Sequence, residues 1–317
     1  MHGAVIENIR RRNVIVDTDP GIDDCLAILF GLQSKTLAIK ALTTTFGNAS
    51  VEQTTKNLIG ILDLCGIRRW PLIGKGAGTP LAGASRSSRA ASVHGKDGLG
   101  NTFLSSDRKK VIVLDAVELI GDTIMRGDAD TLIALGPLTN IAQVFEKFPV
   151  AVSRLRMLYV MAGVLRGPGT VGGYAESNAY RDPEALDAVL NSGVPVTLVS
   201  LDATRNVILR EADIDRIAQS GSKRGRFLRE IVEYYIRFYK RYRSLDGACM
   251  HDPACMGIAE DETIGSYEAV RVGVDRSALK RGRIFLKRTG RPNVRFCKKI
   301  DCNCFINRFL KRIERYL

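Results

Sequence analysis

The segment Asp17-Thr18-Asp19-Pro20-Gly21-Ile22-Asp23-Asp24 places four carboxylates within eight residues, directly after the apolar run Val14-Ile15-Val16. Like charges this close repel one another unless something positive neutralises them. Pro20 and Gly21 turn the chain sharply, so the acids are expected to converge rather than spread along a helix. A hard divalent cation with oxygen ligands resolves the repulsion; a solvated acidic turn is the plainer alternative. Four further polar clusters follow apparent strands or open apparent helices: Thr45-Phe46-Gly47-Asn48, Leu135-Gly136-Pro137, Glu176-Ser177-Asn178 and His251-Asp252-Pro253. Open α/β sheets bind ligands at the carboxyl ends of their strands, so all five clusters are expected at one mouth. His251 is one of three histidines, with His2 and His94. Beside an acid at a helix start it is a candidate proton donor. Asp252 before Pro253 reads as an N-cap pair.

The elements that must position these residues alternate. A strand over 13–16 precedes a helix over 24–33, a strand over 37–45, a helix over 51–64 and a short strand at 72–73. This rhythm argues for an α/β fold, an open and mostly parallel central sheet with helices on both faces. Residues 74–108 break it, being rich in Gly, Ser, Ala and Arg. Loops of that length are usually functional or mobile, so the segment is a candidate mobile loop beside the site. The rhythm resumes with a helix over 115–125, a strand over 131–135 and a helix through Phe148 that Thr139 is placed to cap. A strand over 157–161, the Gly-rich stretch 163–173, a helix after Asp182-Pro183 and a strand over 196–201 follow. Residues 223–243 form a long helix with an aromatic and aliphatic stripe of Phe227, Ile231, Tyr235, Phe238 and Tyr242. No internal repeat or linker interrupts the chain, so residues 1–317 read as a single domain, with 1–12 as an N-terminal extension.

Composition narrows the function class. The chain has 317 residues, of which 45% are hydrophobic and 26% charged, an ordinary globular balance. No apolar run approaches the roughly 20 residues of a membrane span, which excludes an integral membrane protein. No secretory apolar segment follows Arg10-Arg11-Arg12, so a cytoplasmic location is expected. The net charge is +13, and residues 276–317 carry 14 Lys and Arg against only Asp301 and Glu314. Such a tail could bind polyanions. Its apolar residues Ile284, Phe285, Leu286, Val294, Phe296, Ile306, Phe309, Leu310 and Ile313 instead suit two strands and an amphipathic helix with solvated basic faces, so nucleic acid is not the expected partner. Seven cysteines without paired CxxC units read as reduced thiols. A soft metal shared by Cys297, Cys302 and Cys304 is the alternative.

Two families place an acidic pair at the end of a first strand. Haloacid-dehalogenase-type phosphatases also need a downstream Ser or Thr, a Lys and a late acidic pair. Here the late site is His251-Asp252, and the Asp23-Asp24 doublet is foreign to that pattern. The octapeptide 17–24 resembles the DxDPGxDD signature of the inosine–uridine preferring nucleoside hydrolases. The resemblance continues through Thr43-Thr44-Thr45-Phe46-Gly47-Asn48, Val93-His94-Gly95-Lys96-Asp97-Gly98-Leu99-Gly100 and Ala134-Leu135-Gly136-Pro137-Leu138-Thr139-Asn140. Glu176-Ser177-Asn178, Asp182-Pro183-Glu184-Ala185, His251-Asp252-Pro253 and Arg291-Pro292-Asn293-Val294 complete it in order.

This resemblance implies a Rossmann-like nucleoside hydrolase fold, a small-molecule nucleoside substrate, a tightly bound Ca²⁺ and a homodimer or homotetramer. It implies that Asp19, Asp24, Asp252 and the carbonyl of Leu135 hold the ion, with Asp17 orienting these ligands from behind. Asp19 is implied as the base that takes a proton from the attacking water, and His251 as the acid for the departing base. Asp23, Asn48, Glu176, Asn178 and Asp252 would bind the ribose, while His94, Tyr235 and Tyr239 approach the substrate. The chain departs from the family at Thr170, where many relatives have Asn, and at Ser177, where Phe is common. Both positions are implied to lie near the sugar 5′-hydroxyl, so a 5′-substituted nucleoside is one possible substrate, and base preference stays open. A non-catalytic nucleoside- or ribose-binding protein that keeps the calcium site is the alternative.

Overall fold

Strand β1 (Arg12–Thr18) alternates between two apolar layers: Val14 and Val16 join one, Ile15 the other, and all three are fully buried. Successive side chains on a strand face opposite ways, so three consecutive buried apolar residues belong where both faces of a sheet are covered. The computed structural model describes residues 11–83, 90–108, 110–218 and 221–316. Residues 1–10 of the expected extension and 84–89 of the expected loop lie outside them.

The other strands of the sheet are β2 (Leu37–Thr44), β3 (Leu72–Lys75), β4 (Val113–Asp115), β5 (Thr131–Ala134), β6 (Met157–Met161), β7 (Val196–Val199), β8 (Gly265–Val270) and β9 (Val294–Ile300). They run in the order β8-β9-β7-β6-β5-β1-β2-β3-β4. Every neighbouring pair is parallel except β8–β9. One face is covered by helices that include Ile22–Leu32, Lys223–Arg243 and His251–Glu260, the other by Ala116–Met125, Thr139–Lys147 and Pro183–Leu190. The mostly parallel sheet with helices on both faces is thus the architecture found. The long helix has the bounds expected for it, although Tyr242, the last member of its stripe, is exposed.

Several local expectations are corrected. Thr139 does not cap its helix: the N-cap is Leu138, and the Thr139 hydroxyl donates to Asp182 at 2.6 Å. Asp252 is not an N-cap either, because the helix begins at His251 with Met250 before it. The irregular segment contains a short helix, Ala90–His94, and β4 follows it as an edge strand whose three residues are all exposed. Arg12, counted with the extension, already pairs with Leu37 in the sheet.

The basic C-terminal region forms two strands and a helix, as its pattern predicts. Phe305 and Phe309 of the last helix pack on Phe30 with ring centroids 5.6 and 5.9 Å apart. Arg281, Arg295, Arg308 and Arg312 form ion pairs with Glu184, Glu262, Asp261 and Glu260. These four of the tail's fourteen basic residues therefore neutralise acids elsewhere in the chain. All seven cysteines are free, and among the described residues Cys297, Cys302 and Cys304 form no metal-ligand cluster. No helix among the described residues is long and apolar enough to cross a membrane.

Candidate active site

The carboxyl ends of β1, β2 and β5, adjacent at the centre of the sheet, deliver the acidic turn, the Thr45–Asn48 turn and Leu135 to one place. The Leu135 N–H donates to the Asp17 carbonyl at 2.8 Å, which fixes one strand end to the next. Two glycines permit the close approach. A Cβ on Gly47 would lie 1.9 Å from Asp19 Oδ2, and one on Gly21 would lie 2.5 Å from the Asn48 side-chain nitrogen. Asn48 donates its N–H to Asp19 Oδ2 at 2.7 Å and its side-chain amide to Asp24 Oδ2 at 2.9 Å. Asp24 also accepts from Thr18 and from the Gly21 N–H, so it ties the turn together before any ligand is considered.

One carboxylate oxygen each of Asp23, Asp24 and Asp252 lies within 4.8 Å of the other two, and all three residues are buried. Among the described residues this is the one cluster of His, Cys, Asp or Glu with metal-ligand spacing. Asp23, expected only at the ribose, is a member. Asp19 stands beside the cluster: burial and the Asp24 charge hold its carboxyl well above the usual range. Burial and the charges of Asp23, Asp24 and Asp19 do the same to Asp252. Burial and Asp24 push Asp23 up to about 8, and its Oδ1 is buried without a hydrogen-bond partner. Asp17 accepts from Thr43 and, at 2.8 Å, from Asn140, while its Oδ2 has no partner. Its side-chain contacts are thus with β2 and the helix Thr139–Lys147 rather than with the cluster itself, and burial raises it to about 7.

On the other side of the mouth, Glu176 caps the helix Ser177–Arg181 by accepting from Asn178 and Ala179. Its Oε2 also accepts the Gly163 N–H at 3.0 Å. Asn178 donates to the Leu135 carbonyl at 2.6 Å and to the Met161 carbonyl at 3.0 Å. Thr170 is exposed, and Ser177 accepts from Arg181 Nε at 3.2 Å.

The aromatic wall comes from the helix Lys223–Arg243. Tyr235 and Tyr239 are buried and meet edge to face with centroids 5.1 Å apart. The Tyr239 hydroxyl lies 3.2 Å from His251 Nε2, and Thr204 Oγ1 lies 2.7 Å from His251 Nδ1. Burial, with Arg205 nearby, lowers His251 to about 4. His94 is buried against Tyr235 at 5.6 Å, accepts the Ile22 N–H on Nδ1 at 3.2 Å, and lies 3.9 Å from Asp23 Oδ1. Burial lowers it to about 3, so it is neutral there.

The structure thus brings Asp23, Asp24 and Asp252 together, bonds Asn48 to Asp19 and Asp24, and joins Asn178 to Leu135, Tyr239 to His251 and His94 to Tyr235; Thr170 is exposed, and His2 lies outside the described residues. Sequence reasoning missed Thr204, which touches His251, and Arg181, whose charge acts on Asp19, Glu176 and His94. A lone Thr in a four-residue helix and a single Arg before Asp182-Pro183 give no local signal of where their side chains end.

A family model described as inosine-uridine preferring nucleoside hydrolase matches residues 14–307. The chain is 34% identical over 249 residues to the probable uridine nucleosidase 1 of Oryza sativa subsp. japonica, covering 78% of this chain and 76% of that one. It is 33% identical over 267 residues to the inosine-uridine preferring nucleoside hydrolase of Leishmania major, covering 83% of each. The solved structure of a purine-preferring ribonucleoside hydrolase from Gardnerella vaginalis matches with TM-score 0.90 at 30% identity, over 96% of this chain and 99% of that chain. The family match spans the strand ends that gather the acids, and the chain belongs to the inosine-uridine preferring nucleoside hydrolase family.

Proposed function

We propose that the protein cleaves the N-glycosidic bond of ribonucleosides with a bound calcium ion, Asp19 acting as base and His251 serving the leaving base. The observation that carries this reading is the meeting of Asp23, Asp24 and Asp252 next to Asp19. Among the described residues no Lys or Arg pairs with these acids within 4 Å, and Asp23 Oδ1 is left without a partner. An all-oxygen donor set of carboxylates and a carbonyl fits a hard cation such as Ca²⁺. Asp24, Asp252, Asp19 and the Leu135 carbonyl are the proposed ligands, with Asp23 at the same cluster. The amides of Asn48 and Asn178 now face Asp24 and the Leu135 carbonyl and would share those oxygens with the ion. When bound, a calcium ion supplies the positive charge that keeps these acids ionised and makes a nearby water more acidic.

The chain's own groups do the rest. Asp19, kept ionised beside the cation, takes the proton of the attacking water. Asp23, Asn48, Glu176, Asn178 and Asp252 hold the ribose hydroxyls. Their negative charges stabilise the cationic sugar of the transition state more than the neutral ground state. His251, Tyr239 and Tyr235 face the base, and His94 stands beside Tyr235 and Asp23. Water attacks C1′ directly, so no covalent sugar intermediate is needed. The test is ribose release from inosine and uridine, which metal depletion and Asp19→Ala should each abolish.

A further inference from the structure

We infer that Arg181 adapts this site to ribosides that carry an anionic group at C5′, with nucleoside 5′-monophosphates as the substrate class. The inference rests on the proposed ribose-binding reading of the same site.

Arg181 ends a helix held at both ends. Glu176 caps its start, while Arg281 grips its end through the Tyr180 carbonyl at 3.1 Å and an ion pair with Glu184. The Arg181 backbone is therefore fixed, and its side chain is partly buried. Its Nε donates to Ser177 Oγ at 3.2 Å. Among the described residues, neither of its terminal nitrogens has a hydrogen-bond acceptor, and no carboxylate pairs with it within 4 Å. Its charge nevertheless acts on Asp19, Glu176 and His94.

A partly buried guanidinium with donors to spare gains when an acceptor meets it. The nearby acid cannot supply that acceptor cheaply, because Glu176 already accepts three backbone N–H groups. A phosphate offers the planar pair of oxygens that the guanidinium fork matches. Ribose chemistry indicates where such a group hangs. The cis-diol suits the acids and a hard cation, and C1′ must face Asp19 and the aromatic wall. The remaining substituent is C5′, left to the Glu176–Arg181 side.

The reaction on such a substrate is unchanged in its balance. The C1′–N bond breaks, a C1′–O bond forms from water, and the water's proton replaces the sugar on the base nitrogen. The products are free base and ribose 5-phosphate, with the phosphate ester untouched. The competing account is that Arg181 only balances Asp19 and Glu176.

The experiment measures kcat/KM of the metal-loaded protein for uridine, inosine and their 5′-monophosphates, in the native chain and in Arg181→Gln and Arg181→Lys. Calorimetric titrations with ribose 5-phosphate and with ribose accompany it. The native protein should cleave the monophosphates at least as efficiently as the nucleosides. Arg181→Gln should lower the ratio of the two efficiencies about tenfold or more, and Arg181→Lys should restore part of it, as loss and return of a charge-assisted bond require. Cleavage of nucleosides with monophosphates excluded, or a ratio that Arg181→Gln leaves unchanged, overturns the inference and leaves the hydrolase reading standing. If no riboside is cleaved, the hydrolase reading falls. Ribose 5-phosphate binding at least tenfold tighter than ribose, lost in Arg181→Gln, would then still support the anion site, and equal binding would overturn it.

Discussion

The Thr204 hydroxyl lies 2.7 Å from Nδ1 of His251. That hydroxyl also donates to the Ser200 carbonyl at 3.2 Å, so toward His251 it accepts. The hydrogen-bond pattern therefore assigns the imidazole proton to Nδ1 and leaves Nε2 to accept from Tyr239, 3.2 Å away. With His251 lowered to about 4, the resting ring is neutral near pH 7. Under the proposed function, the departing base is protonated through the Tyr239–His251 pair rather than by a standing imidazolium.

Tyr239→Phe and His251→Ala should accordingly lower kcat for inosine by about 10²-fold or more, the range of a lost general acid. A p-nitrophenyl riboside, whose leaving group needs no proton, should lose far less in both variants. Equal losses on the two substrates would remove the pair from leaving-group protonation.

Asp252→Asn takes one carboxylate from the cluster, and Asp24→Asn also disturbs its bonds to Gly21 and Thr18. Both should weaken calcium binding at least tenfold by titration calorimetry. Because a ligand bound only by the folded state stabilises it, saturating calcium should raise the native melting temperature more than that of either variant. An identical calcium response in all three proteins would count against the cluster as the ion's site.

The pH dependence follows from protons that the ion must displace. Folding raises Asp23 to about 8 and Asp17 to about 7 from the ordinary carboxylate value of 3.8. The folded metal-free chain therefore binds more protons than the unfolded chain between about pH 4 and 8, and its stability falls as pH rises through that window. Calcium needs the ionised acids, so its affinity should rise with pH up to about 8, with net release of at least one proton near pH 7. Calorimetry in two buffers of different ionisation heat reads that proton. Binding heats independent of buffer would contradict the expectation.

Gly47→Ala tests the packing of Asp19. A methyl group there would sit 1.9 Å from Asp19 Oδ2, so the carboxylate must move. Overpacking of this kind costs about 1–3 kcal/mol of stability. The loss of kcat should be larger than that figure converts to, because the base itself is displaced. A variant that folds and retains native kcat would show that Asp19 need not stand where it does.

Much of this was legible in the sequence because the signals are local. The run Val14-Ile15-Val16 announces a strand covered on both faces, and the 3.6-residue period of 223–243 marks the long helix at its true ends. The octapeptide 17–24 announces converging acids by its Pro-Gly turn and its charge. Edge strand β4 was not legible, because its three exposed residues carry no burial pattern. Thr139 and Asp252 resemble caps by type, yet tertiary partners decide their places, Asp182 for one and the acidic cluster for the other. The contacts of Thr204 and Arg181 span 47 residues in one case and depend on how a five-residue helix is clamped in the other. Neither distance nor direction of that kind is written in local spacing.

The most direct measurement is ribose released from inosine and uridine by protein stripped of divalent ions and then reloaded with calcium alone. Stripping should extinguish hydrolysis, calcium should return it, and Asp19→Ala should stay silent in both states. Turnover that survives chelation, or that persists in Asp19→Ala, would contradict the account.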